Sequence, residues 1–331
     1  LAATVAFYAA ANQTVWTTKD GLSQRGRSAA DEIGKADEFG LQASAFDIPS
    51  LTDASPAPEA LADAEVRMAL AVLKYARHAR GGRLDPSSVS QKFDQKPVIY
   101  DPRSVLQAIS ASEQSDAYLR ALHPQHPQFE RLRQALMAAR KAKQDGTPAA
   151  RNSASVTQIL VNMERWRWLP PDLGDFYVWD SVPDQMTNVV DHGKVVLAEK
   201  IVVGKASTPT PVFSANMQFV IFHPSWGVPP GMKSNELAPK LRNTDNSSFS
   251  WFSSAPLASA VLKAHGLTVT RGGVPVNPDA VNWSQVDIRS FDFTQAPGPT
   301  NVLGVVKFRF PNKHDVYMHD TPERHLFGGS V

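Results

Sequence analysis

Near the end of the chain, in the stretch "VYMHDTPERHLF", His319 is followed at once by Asp320, Thr321 and Pro322. The residues before it read as a strand, and the Asp-Thr-Pro after it reads as its stop. An imidazole titrates near pH ~6.5, so at a strand end it can take or give a proton at neutral pH. Beside a nucleophile such a group is a general base. Packed among neighbours, the same histidine is a hydrogen-bonded structural residue. No cysteine occurs anywhere in the 331 residues, which removes disulfides and thiolate metal sites from the chemistry open to them.

Other chemistries find little support. There is no GxGxxG after a strand, no Walker-type loop, no GxSxG elbow and no HExxH. His123 and His126 sit in "HPQHPQ", where the prolines predict a solvated loop rather than a metal site. No metal and no cofactor is expected.

Three stretches are unusual. In "QAPGPTNVLGVVKFRFPNKHDVYMHDTP", Gly298 between prolines predicts a tight turn, Asn301 can brace a loop, and Gly304 permits close backbone approach. In "GKASTPTPVFSANMQFVIFHPSWGVPPGM", the prolines make stiff corners that aim Phe213 and Trp226. Two readings stand: rigid loops closing a β fold, or Trp226 with Pro229 and Pro230 as a wall of a substrate groove. In "VNMERWRWLP", strand alternation puts Met163, Arg165 and Arg167 on one face and Asn162, Glu164, Trp166 and Trp168 on the other. Tryptophans sealing a core edge, with Glu164 paired to an arginine, are favoured there over direct substrate contact.

The elements that must position these residues fall into two halves. Residues 1–143 read as a helical domain. "PEALADAEVRMALAVLKYARHARGG" places Val66, Ala69, Leu70, Leu73 and Arg77 on one stripe, stopped by Gly81 and Gly82. "HPQFERLRQALMAARKAKQDG" puts Phe129, Leu132, Leu136 and Ala139 on a shared face and ends in a basic turn. The small polar residues of 144–156 read as a linker. From 157 to 331, short runs such as "TQILVNM", "FYVWDS", "KVVLAEKIVVG", "MQFVIFHP", "VKFRFP" and "DVYMHD" predict strands. Hairpin turns are expected at Asp191–Gly193 and at Asn312–Lys313. A Ser-rich, then helical segment at 236–266 interrupts them as an inserted lid. The fold class is α+β.

At 331 residues and 36.1 kDa the chain suits two domains. A formal charge of +2 argues against a nucleic-acid footprint. "LAATVAFYAAAN" is too short for a membrane span and lacks a basic leader. The chain begins with leucine instead of methionine, so something upstream is expected to have been removed, and a signal peptide or an anchor could have stood there.

The run from "VNMERWRWLP" through "GKASTPTPVFS", "HPSWGVPP", "PGPTNVLGVVKFRFPN" and "VYMHDTPERHLF" resembles the long periplasmic L,D-transpeptidases of Gram-negative bacteria. "FYAAANQTVWTT", "KADEFGLQASAFDIP" and "LKYARHARGGRLDP" resemble that family's helical scaffold domain. The resemblance implies a β-rich catalytic domain with an inserted capping subdomain. It also implies a cysteine nucleophile in a Ser-His-Gly-Cys motif some twenty residues past the histidine of an "HDTP"-like segment. That histidine is His319 here, and the motif is expected after Val331, so the 331 residues by themselves are expected to be inactive.

Further expectations follow from the same resemblance. Asp320 orients the imidazole, through its backbone carbonyl rather than its carboxylate, while Trp226, Tyr317, Asn301 and Gly304 line the substrate site. The reaction joins a tetrapeptide donor stem of peptidoglycan to the diaminopimelate of a second stem, a 3→3 cross-link, in the periplasm. Carbapenems are covalent inhibitors, and other cell-wall synthases are candidate partners. A catalytically inactive stem-peptide-binding scaffold is the alternative, as is an L,D-carboxypeptidase or a protein-to-wall attachment variant. Many members carry a small peptidoglycan-binding domain between scaffold and catalytic parts, where this sequence runs almost directly from one to the other.

Overall fold

The computed structural model describes residues 2–11, 13–51, 53, 55–145, 155–244 and 257–328. Two compact units emerge, Leu1–Glu199 with Val203–Ser214, and Lys200–Val202 with Ala215–Val331. Most of the expected linker at 144–156, and the middle of the expected lid at 236–266, lie outside the described residues.

The first unit is mainly helical. Its helices are α1 (Ala2–Ala11), α2 (Gln24–Gly34), α3 (Pro58–Gly81), α4 (Pro86–Val89), α5 (Pro102–Ala111), α6 (Ser115–Ala121), α7 (Pro127–Gln144) and α8 (Val156–Trp166), with a short hairpin of β1 (Thr17–Thr18) and β2 (Gly21–Leu22) after α1. Pro58 opens α3 at a position that needs no N–H, and Gly82 ends it at φ +77°. The buried face of α3 is not the stripe expected from Val66 and Leu70, which are 39% and 37% exposed. Met68, Ala69, Val72, Tyr75, Ala76 and Ala79 face the core with Trp16, Ile33, Leu106 and Ile109.

The shift of face has a polar cause. Glu65 is buried and accepts from the Tyr8 hydroxyl at 2.7 Å, the backbone N–H groups of Val15, Trp16 and Thr17, and the Thr17 hydroxyl. A carboxylate so engaged fixes the helix's rotation better than two exposed aliphatics can.

The stretch containing "VNMERW" is helix, not strand. Ser155 caps α8 in a full capping box, accepting from the Gln158 backbone while the Gln158 side chain accepts from Ser155 N–H. Ile159 and Met163 join Phe129 and Leu136 of α7 in a small core. Glu164 then accepts from Arg83 N–H at 2.5 Å and Arg83 Nε at 3.1 Å, holding the chain just past the end of α3. Trp168 is buried and Trp166 stacks on His126 at 4.6 Å. The solvated loop expected at His123 is also overturned. His123 is 2% exposed, stacks on Phe39 at 4.2 Å and shares a 2.8 Å hydrogen bond with the Tyr75 hydroxyl.

The strands β3 (Phe176–Ser181), β4 (Met186–Asp191) and β5 (Lys194–Lys200) form an antiparallel meander. His192 at φ +46° and Gly193 at φ +75° make the turn expected between β4 and β5.

In the second unit, β6 (Phe219–Phe222), β11 (Val306–Arg309) and β12 (Met318–His319) form a sheet in the order β12-β11-β6. A second sheet, β7-β10-β8-β9, holds β7 (Trp226–Gly227), β8 (Leu267–Arg271), β9 (Val274–Pro275) and β10 (Asp292–Gln295). The short helices α9 (Pro230–Met232), α10 (Ala238–Arg242) and α11 (Ala258–Ala264) complete it. Leu237, Ala238, Leu241, Ala258 and Leu262 pack with Val269, Trp283, Phe291 and Phe293. The described parts of 236–266 therefore share a core with β8 and β10, each large apolar group contributing about 1.5–3 kcal/mol by burial.

Candidate active site

The hairpin of β11 and β12 sets Lys307 opposite His319 and Phe308 opposite Met318. Its connection is built around one side chain. Asn312 Oδ1 accepts from the N–H of His314 and Val316 at 3.0 and 3.1 Å, and its amide donates to the carbonyls of Phe310 and Val316 at 3.0 and 2.7 Å. All four capacities of the amide are spent inside the turn, so the connection leading into the strand that carries His319 is held by this side chain in addition to the β11–β12 ladder.

His319 is exposed, and its Nδ1 lies 2.5 Å from the backbone carbonyl oxygen of Asp320. A carbonyl can only accept, so Nδ1 donates to it and Nε2 is the nitrogen left to carry a lone pair. An imidazole held in this tautomer can take a proton at Nε2 while the backbone carbonyl stabilises the resulting cation. No hydrogen bond reaches His319 from a serine or threonine hydroxyl among the described residues, and none of their His, Asp or Glu side chains gather into a group that could hold a metal.

Asp320 is fixed at several atoms. Its N–H donates to the Val306 carbonyl at 2.9 Å, its carboxylate accepts from Val305 N–H at 3.1 Å, and it pairs with Arg324 at 2.8 Å. Partial burial pushes the carboxyl up. The Val305 and Thr321 N–H groups, with Arg324 and His319, outweigh that and hold it below the usual carboxylate range. Arg324 was not singled out in the sequence, although "DTPER" places it four residues on.

Gly304 stands at φ +60°, and a Cβ built there would overlap the Asp320 carboxylate. Its place is behind Asp320. Asn301 is wholly buried. It donates to the carbonyls of Pro224 and Ala296 at 3.0 and 2.9 Å and accepts from Leu303 N–H at 2.8 Å. With no exposed atom, it braces the loop and presents nothing to a ligand in this arrangement.

Tyr317 lies beside the imidazole, and Trp226 lies beside Tyr317. The Tyr317 and His319 rings are 5.7 Å apart, as expected two residues apart on one strand face. Burial pushes the Tyr317 hydroxyl up, the Trp226 indole opposes that by hydrogen bonding, and Asp315 adds to it. The phenol is a neutral donor at physiological pH. Trp226 itself sits on β7 opposite Gln295 and packs against the core beside β10. The structure thus brings together His319, Asp320, Tyr317 and Trp226, with Gly304 and Asn301 shaping the backbone behind them.

Residues 2–136 match the family profile of a Scaffold domain, and residues 175–330 match that of an L,D-transpeptidase catalytic domain. Over 185 residues the chain is 26% identical to a Haemophilus influenzae protein named "Putative L,D-transpeptidase". The match covers 54% of this chain and 34% of that relative, so the chain spans about a third of the relative's length.

Proposed function

As a member of the L,D-transpeptidase family, with a scaffold domain ahead of its catalytic domain, the protein is one that we propose cross-links peptidoglycan stems 3→3 in the periplasm. The observation that carries this reading is the contact of His319 Nδ1 with the Asp320 carbonyl, which leaves Nε2 as the basic atom.

The nucleophile in this proposal is a cysteine that the 331 residues do not contain. A thiol with pKa about 8.5 is largely protonated at neutral pH, and a neighbouring imidazole converts it to the reactive thiolate. The thiolate attacks the carbonyl of diaminopimelate, the third residue of a tetrapeptide stem. Nε2 returns the proton to the departing D-alanine amine, and a thioester remains. The amine of diaminopimelate on a second stem then attacks the thioester, forming the 3→3 amide and freeing the thiol. Backbone N–H groups about the cysteine hold the oxyanion. Tyr317 and Trp226 line the donor groove, and the segment 236–266 caps it. Water in place of the second stem gives a tripeptide, and a carbapenem acylates the same sulfur.

Incubating the full-length protein with purified sacculi, digesting with a muramidase and reading the products by mass tests the reaction. Dimers joined diaminopimelate to diaminopimelate are expected. Tripeptides without such dimers would mean a hydrolase, and unchanged sacculi would mean a stem-binding scaffold.

A further inference from the structure

On the face of the sheet that carries His319 stand two cations, Lys307 and Arg309. Lys307 stands opposite His319, and Arg309 lies two residues along β11, so both side chains share its face. Neither takes part in an ion pair among the described residues. Lys307 Nζ lies 3.6 Å from the centre of the Tyr317 ring. A cation over an aromatic face is held in place with its N–H donors still available to a ligand.

Both cations line a pocket of about 260 Å³ with Phe310, Asn312, Asp315 and Tyr317. That is below the roughly 300–1,000 Å³ of a site for a whole small molecule, so it suits one terminus or side chain of a larger one. Its charge is two cations against the single carboxylate of Asp315. Its rim is rigid because Asn312 spends its amide inside the turn. The apolar side chains of Ile221 and Phe219 stand opposite Lys307 and Arg309 on β6 and are exposed.

We infer that Lys307 and Arg309 form a carboxylate-binding subsite that anchors an acidic stem peptide beside His319. The inference rests on the stem-peptide reading above and deepens it. Two carboxylates of a tetrapeptide stem have this chemistry, that of the terminal D-alanine and the free one of diaminopimelate.

Calorimetric titration of full-length protein with a synthetic tetrapeptide stem tests the assignment, with His319→Ala as common background so that the peptide is not turned over. Lys307→Met is expected to weaken binding roughly tenfold, as for loss of a charged hydrogen bond, with Arg309→Gln in the same direction and Lys307→Arg restoring most of it. Two amidated peptides, one at each carboxyl, identify the ligand: the one that loses the anchor binds weakly and is insensitive to Lys307→Met. Melting curves check that each variant folds, and if Lys307→Met does not, Arg309→Gln and the amidated peptides decide. Equal affinity of the double variant and the background for the unmodified stem would overturn the subsite while leaving the stem-peptide reading intact. Failure of the background protein to bind any stem would overturn both.

Discussion

The Asp320 carboxylate occupies the space that any side chain at Gly304 would need, and it does so while accepting the N–H of Val305 next door. The two residues are locked together from separate strands' ends, and the carbonyl that holds His319 belongs to the same Asp320. Gly304→Ala is therefore expected to act twice. The left-handed backbone costs a non-glycine residue about 1–3 kcal/mol, and the methyl must displace the carboxylate. Thermal melting of the variant should show the loss, and acylation by a carbapenem should slow with it. A Gly304→Ala protein that melts and reacts like the wild type would contradict this packing.

Asp320 offers a separation of roles. Asp320→Asn keeps the carbonyl that orients His319 and keeps one oxygen for a backbone N–H, losing the second acceptor oxygen and the ion pair with the largely exposed Arg324. Exposed pairs contribute about 0–1 kcal/mol. Acylation rates of the full-length variant should fall less than about tenfold. A fall as deep as that caused by removing the imidazole would assign the orienting role to the carboxylate instead.

In the helical unit, Glu65 is the polar keystone. Glu65→Ala strands the N–H groups of Val15, Trp16 and Thr17 in a buried site, at about 1–3 kcal/mol for each group left unsatisfied. Denaturant unfolding should show a loss of roughly 3 kcal/mol or more. A change under 1 kcal/mol would mean that water replaces the carboxylate freely.

His123 gives the same unit a pH dependence. Burial, with the Arg167 cation adding to it, holds its imidazole well below the usual histidine range. The unfolded chain takes up this proton as pH falls below about 6.5 and the folded chain does not, so stability declines toward acid by up to about 1.4 kcal/mol per pH unit. Melting temperatures between pH 7.5 and 5 should fall for the wild type and fall less for His123→Gln. Parallel profiles would show that His123 is not the group responsible.

Much of this arrangement is legible in residue order. The two halves, the turns at His192–Gly193 and Asn312, and His319 at a strand end all follow from local chemistry. The β reading of "VNMERWRWLP" fails for a recoverable reason. Its tryptophans, valine and methionine suit a strand, but Ser155 and Gln158 three residues apart are a capping box, and that signal outranks propensity. The face of α3 is harder to foresee, because Glu65 and Tyr75 are buried by partners far along the chain, Thr17 and His123 among them. Arg324 at the Asp320 carboxylate and the Lys307–Tyr317 stack depend on how the hairpin pairs, which residue types alone do not specify.

The central claim is that Nε2 of His319 is the proton acceptor for a sulfur nucleophile. Intact-mass measurement of carbapenem adducts tests it most directly, on full-length wild type and on a folded His319→Ala variant side by side. The account predicts a single covalent adduct on the wild type and none, or a rate lower by at least about a hundredfold, on the variant. An adduct forming on His319→Ala at the wild-type rate would remove His319 from the chemistry.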